Sequence, residues 1–191
     1  MDSGKALARS GELLIDVTSS LDLYGGGLSA AGANIRNCGD CLAQAGASCR
    51  MKTATELVID ELREGADCLR EGYGKLNRAV EECQVDEDYV LMEKITNMIS
   101  PMKASSIFLE DAGAAILTKE SVDVIGQYLI SCGEALLSLS TTIGVIDETN
   151  KDCTTSAQRM VYASEQMILA GNELLGGEKK EKPKGKSWIK G

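Results

Sequence analysis

This chain of 191 residues is predicted to fold as an all-α, antiparallel up-and-down bundle of six or seven helices. Three observations predict it. Apolar residues recur at helical spacing along most of the chain. Aromatics are scarce, with one Trp, one Phe and five Tyr, and proline occurs only at 101 and 183, which disfavours a sheet. Glycine repeats every seven residues inside segments that otherwise read as helix.

Gly4, Gly11, Gly25, Gly32, Gly39 and Gly46 share one heptad phase, which only Thr18 interrupts. Beside them runs an apolar ladder of Leu7, Leu14, Leu21, Leu28, Ile35, Leu42 and Cys49. A helix sets the two rows side by side. Glycine costs a helix about 1 kcal/mol per residue relative to alanine. A whole row of it therefore implies that something approaches closely, either another backbone or a flat ligand.

The first helix is predicted over Ser3 to Tyr24, with Leu7, Ser10, Leu14, Val17, Leu21 and Tyr24 on one stripe. Gly25-Gly26-Gly27 breaks it into a hairpin, although the heptad phase runs straight through the break. The second helix covers Leu28 to Ser48. Thr53 and Glu56 form a capping box for the third, whose ladder is Leu62, Leu69, Leu76 and Cys83. A fourth begins near Asp86. Ser100-Pro101 reads as N-cap and first residue of a fifth that ends near Leu117, with one kinked helix as the alternative. The next runs from Ser121 to Asp147. The last runs from Asn150 to Leu175 and stops at Gly176-Gly177.

The chain carries an internal echo at an offset of 122. Gly4, Leu7, Gly11, Glu12 and Leu14 match Gly126, Leu129, Gly133, Glu134 and Leu136. The same offset pairs Ala31 with Cys153, Cys38 with Met160 and Ala45 with Met167. The first hairpin is thus a candidate for duplication as the last, against the alternative that amphipathic heptads resemble one another anyway.

The net charge is -9, and the last fourteen residues hold six lysines against two glutamates. The acidic body disfavours nucleic acid as a partner. Residues 1–177 are expected to form the bundle domain, and 178–191 a disordered basic tail. That tail contains the only tryptophan, so Lys184, Lys186, Trp188 and Ile189 are candidate contacts for an acidic partner surface. No run of eighteen apolar residues occurs, so no membrane span is expected. The N-terminus lacks a basic-then-apolar signal pattern. Seven cysteines, an odd number, point to a reducing compartment, cytoplasm or organelle stroma.

Histidine is absent, which removes Glu-x-x-His metal pairs and Ser-His or Cys-His nucleophiles. Glu81-Glu82 reads as a solvated surface pair. Gly25 to Gly27 offers backbone N–H groups to an anion, a weak signal without a preceding strand. Cys38-Gly-Asp-Cys41 has redox or metal half-site spacing, with Cys49 on the same face and Cys68 as a candidate fourth ligand. Small buried residues in a helix seam are the favoured role, so neither a metal nor a cofactor is expected.

Gly32, Gly39 and Gly46 either pack helices within the bundle or leave a groove for a partner. The function expected is a non-catalytic interaction or scaffold subunit of a larger assembly. The alternative is a ligand- or pigment-carrying bundle with Cys38, Cys41 and Cys49 beside the groove. An enzyme is least favoured.

Overall fold

The computed structural model describes residues 2–51 and 55–177. Six α-helices follow one another: α1 (Ser3–Ile15), α2 (Gly26–Met51), α3 (Thr55–Val85), α4 (Tyr89–Leu117), α5 (Val122–Gly144) and α6 (Lys151–Gly177). A short 3-10 helix, Thr18–Tyr24, links α1 to α2. The tail contacts expected at Lys184, Lys186, Trp188 and Ile189, and the Thr53 cap, lie outside the described residues.

Local chemistry starts and stops the helices. Asp2, Asp88 and Ser121 accept hydrogen bonds from the backbone N–H groups of Gly4, Leu91 and Val124. The Asn150 side chain does the same for Asp152 at 2.8 Å. Such caps satisfy N–H groups that have no partner inside the helix. At the other ends, α3 and α4 close through left-handed residues that are not glycine, Glu87 and Lys119, both at φ 59°. The Asp88 N–H returns to the Cys83 carbonyl, and that of Glu120 to Ala115, each at 2.9 Å. These are Schellman closures.

The first predicted helix is shorter than expected. Regular α-helix ends at Ile15, and the chain tightens into the 3-10 helix to Tyr24. The composition of Val17-Thr-Ser-Ser20 explains this, because all of these residue types are weaker helix formers than alanine or leucine. The tightened segment stays in place because Leu14, Val17 and Leu21 are fully buried. Tyr24 Oη also lies 3.9 Å from Cys153 Sγ of α6.

The hairpin forms at the glycine triplet as expected, with Gly25 and Gly26 at positive φ. The anion at that turn belongs to the chain itself. Glu82 Oε2 accepts from the Gly27 N–H at 2.9 Å, while Oε1 accepts from Arg78 at 3.1 Å. Glu82 is therefore no merely solvated surface residue: its carboxylate sits at the N-terminus of α2, where a negative charge is favoured.

The break expected at Ser100-Pro101 does not occur. Pro101 lies inside a continuous α4, itself buried, with Met98, Met102, Ser105 and Leu109 buried around it. Burial of that face outweighs the missing N–H, and Ser105 Oγ donates to the Pro101 carbonyl at 2.9 Å.

Each helix packs antiparallel on the next, and α6 returns to α1, closing a ring of six. Two serines seal the closure. Ser3 Oγ donates to the Ala170 carbonyl at 2.9 Å and Ser10 Oγ to that of Ala163 at 2.8 Å. Inside the ring lies one core, in which Ile35, Leu42, Leu62, Leu69, Leu76, Met102 and Leu136 are among the largest buried side chains. By length and hydropathy α5 would suit a membrane span. Here its Leu129, Cys132, Leu136, Leu139 and Ile143 turn into the core.

The glycine rows are filled from within. A Cβ on Gly11 would collide with the Ala43 N–H and the Gly39 carbonyl, and one on Gly4 would stand 2.9 Å from the Gly46 carbonyl. The α5–α6 hairpin repeats this geometry. There a Cβ on Gly126 would meet the Gly171 carbonyl at 2.8 Å, and one on Gly133 the Ser164 carbonyl at 2.9 Å. The equivalence is not the constant offset of 122. Gly11 and Gly39 are 28 residues apart, Gly133 and Ser164 31. The second connection is three residues longer, so Cys38 corresponds to Ala163 rather than Met160.

Two glycine substitutions should act in opposite directions. Gly11→Ala is expected to destabilise by about 1–3 kcal/mol, because the α1 and α2 backbones must separate. Gly74 is exposed in α3, and a methyl group there would meet nothing within 4 Å, so alanine adds helix propensity without a clash. Gly74→Ala should stabilise by about 0.5–1 kcal/mol. Urea unfolding followed by circular dichroism reads both.

Candidate functional site

The glycine seam between α1 and α2 is not a ligand groove. Gly39 and Gly46 face the α1 backbone at Gly11, Ile15, Gly4 and Ala8. Gly32 is buried in the same helix. No partner helix or planar ligand fits against Gly39 and Gly46 while α1 is in place, so these two pack inside the bundle.

The cysteines divide differently from the sequence grouping. Cys49 is exposed near the end of α2, against Gly4 and close to Asp2. It stands apart from Cys38 and Cys41 because eleven and eight residues along a helix carry it about 16 Å and about 12 Å further on. Cys68 of α3 takes its place, beside Cys41. Gly65 of α3 lies against both cysteines of α2. A Cβ there would lie 3.4 Å from Cys41 Cβ and 3.6 Å from Cys38 Sγ. These are ordinary van der Waals distances, so the α2–α3 contact here does not depend on the missing side chain.

Cys38 is fully buried, with Cys132 of α5 among its neighbours. Cys132 Sγ donates to the Ser105 carbonyl at 3.7 Å. Burial pushes Cys38 well above its ordinary value, with smaller contributions from Cys132, Cys68 and Cys41. Burial alone pushes Cys132 up to about 12. Cys41 is also pushed to about 12, by burial first and then by Cys68, Glu64 and Glu61. These thiols are neutral at physiological pH and are poor nucleophiles.

The spacing of residues on α3 holds what the sequence reading missed. Glu61, Glu64 and Cys68 lie at i, i+3 and i+7, on one face with Gly65. The Sγ of Cys41 and one carboxylate oxygen each from Glu61 and Glu64 lie within 4.8 Å of one another. Glu61 is half-buried, and its carboxyl is raised by burial first, then by Glu64 and Asp60. The i, i+3, i+7 pattern was visible in the sequence. That Cys41 stands opposite it was not.

A second feature is a surface groove of about 560 Å³ along α1 and α6. Ala8 and Leu13 of α1 and Tyr162 of α6 give it apolar surface, and Lys5, Arg9 and Arg50 give it positive charge. Arg9 is paired with Glu12 at 2.8 Å. Tyr162 is 47% exposed, so its ring is available for contact. Another cleft, lined by Asp60, Arg63, Glu64, Asp67, Arg70 and Glu110, is mostly polar. Arg70 bridges Asp67 and Glu110 across it, tying α3 to α4.

Compared with protein-family models, curated proteins and solved structures, the chain matches none.

The buried thiols impose a pH dependence. Their folded-state values are raised, so the stability they contribute is complete below the ordinary thiol value of 9.0 and is lost as pH rises toward about 12. The unfolding free energy should therefore decline through that window. Removing one such thiol, Cys132→Ala, should make the decline shallower by at most about 1.4 kcal/mol per pH unit. Denaturant melts of both proteins between these pH values measure the slopes. Equal slopes would show that Cys132 ionises in the folded protein as readily as in the unfolded chain.

Proposed function

We propose that this chain is a non-catalytic interaction module that holds a protein partner in a larger assembly. The observation that carries the reading is the α1–α6 groove. Its cationic rim of Lys5, Arg9 and Arg50 stands on a body of opposite net charge. An acidic segment of a partner, helical or extended, suits that rim, while Tyr162 and Leu13 provide the apolar contact. Exposed aromatic and arginine side chains at the centre of a contact are the residue types that most often dominate binding energy.

Other features support the reading indirectly. The chain has no histidine, and its buried thiols are held neutral, so neither arrangement favours nucleophilic or acid–base catalysis. The tail residues Lys184, Lys186, Trp188 and Ile189 remain a second proposed contact, toward an acidic surface. A ligand or pigment carrier built on Cys38, Cys41 and Cys49 is supported less, because α1 and α3 occupy the space beside the glycines. A reducing intracellular compartment remains the proposed location.

The reading is tested on protein isolated from its own cells, by native mass spectrometry with an absorbance spectrum. A stoichiometric protein partner is expected. Arg9→Glu combined with Tyr162→Ala should weaken it by about tenfold or more, or roughly 1.4 kcal/mol. A partner held equally by the variant would remove the groove from the proposal. A few hundred extra daltons with visible absorbance, and no protein, would favour the carrier instead.

A further inference from the structure

We propose that Cys41, Glu61 and Glu64 form a binding site for a divalent transition-metal ion of the zinc class at the α2–α3 contact. The ligands come from two helices. Glu61 and Glu64 project from successive turns of α3, and Cys41 reaches them from α2 over the bare backbone of Gly65. Their ligand atoms already lie within 4.8 Å of one another, so modest side-chain rotation brings all three onto one ion. Metal–sulfur and metal–oxygen bonds of about 2.3 Å and 2.1 Å respectively then set the final geometry.

Two observations separate this set from an ordinary acidic patch. The sulfur is supplied by a residue more than nine-tenths buried, at 6% exposure, on a helix other than the one that carries the carboxylates. The two carboxylates also approach each other, with oxygens within 4.8 Å, so their negative charges repel. A cation removes that mutual repulsion.

The donor set selects the ion. One thiolate and two carboxylates disfavour magnesium and calcium, which take oxygen alone, and suit zinc, ferrous iron or cobalt. Three protein ligands leave a fourth position to water, as in open tetrahedral sites. Cys68 stands beside Cys41 on α3 and is a positioning residue for it. On binding, the Cys41 S–H bond breaks, its electron pair goes to the metal and its proton to the buffer. The thiol proton is the one displaced, so one ion is expected to release about one proton.

Cobalt(II) is the probe, added to the full chain reduced with a non-thiol phosphine. One equivalent is expected to produce sulfur-to-cobalt charge transfer in the near ultraviolet and the intense visible bands of tetrahedral cobalt. Zinc should bleach them. Calorimetry in two buffers of different ionisation enthalpy should count about one proton released per ion. Cys41→Ser should abolish the charge-transfer band. Glu64→Gln, at an exposed position that cannot disturb the core, should weaken binding by about tenfold or more. Cys38→Ser and Cys49→Ser should leave the band unchanged. An unchanged band in Cys41→Ser, no band in the reduced wild type, or equal affinity in Glu64→Gln with its helicity intact would each overturn the site.

Discussion

The ring depends on helix backbones touching where glycine removes the side chains between them. At Gly4, Gly11, Gly39 and Gly46 the α1 and α2 chains interlock, and at Gly126, Gly133 and Gly171 α5 and α6 do the same. Close approach multiplies weak dispersion contacts over the length of the seam. It also decides where α1 lies. Only a helix drawn tightly onto α2 can present Ser3 and Ser10 to the carbonyls of α6 and close the ring. The propensity lost at each glycine is recovered in packing, which is how tertiary contact ordinarily overrides local preference.

The α2–α3 contact places the chemistry. Cys41 of α2 stands among Glu61, Glu64 and Cys68 of α3, while Cys38 is fully buried with Cys132 nearby. Two cysteines only three residues apart thus lie in different environments. Cys38 is sealed in an apolar core and Cys41 borders an acidic surface. The sequence motif that joins them says nothing of that division.

Elements and their faces were largely legible. The ladder Leu62, Leu69, Leu76 and Cys83 is buried throughout, as is nearly all of the stripe predicted for the first helix. Periodicity reports which face avoids water, and that depends on the chain alone. Continuity across Pro101 was harder to read, because local preference argued for a break and burial on both sides won. Glu82 was misread for a related reason. Its partner, the Gly27 N–H, is 55 residues away, and no local pattern announces it.

By itself the sequence determined the helical class, the hairpin at Gly25 to Gly27, the apolar faces and the absence of histidine chemistry. These follow from side-chain type and spacing within a few turns. The tertiary structure decided what lies against each face. It put α1, and not a ligand, in the glycine seam; it separated Cys49 from Cys41 and brought Glu61 and Glu64 to it; and it gathered Lys5, Arg9, Arg50 and Tyr162 from three helices into one groove. Heptad periodicity specifies a face but leaves open which helix covers it and in what register, and both are set only when every helix in the ring is packed at once.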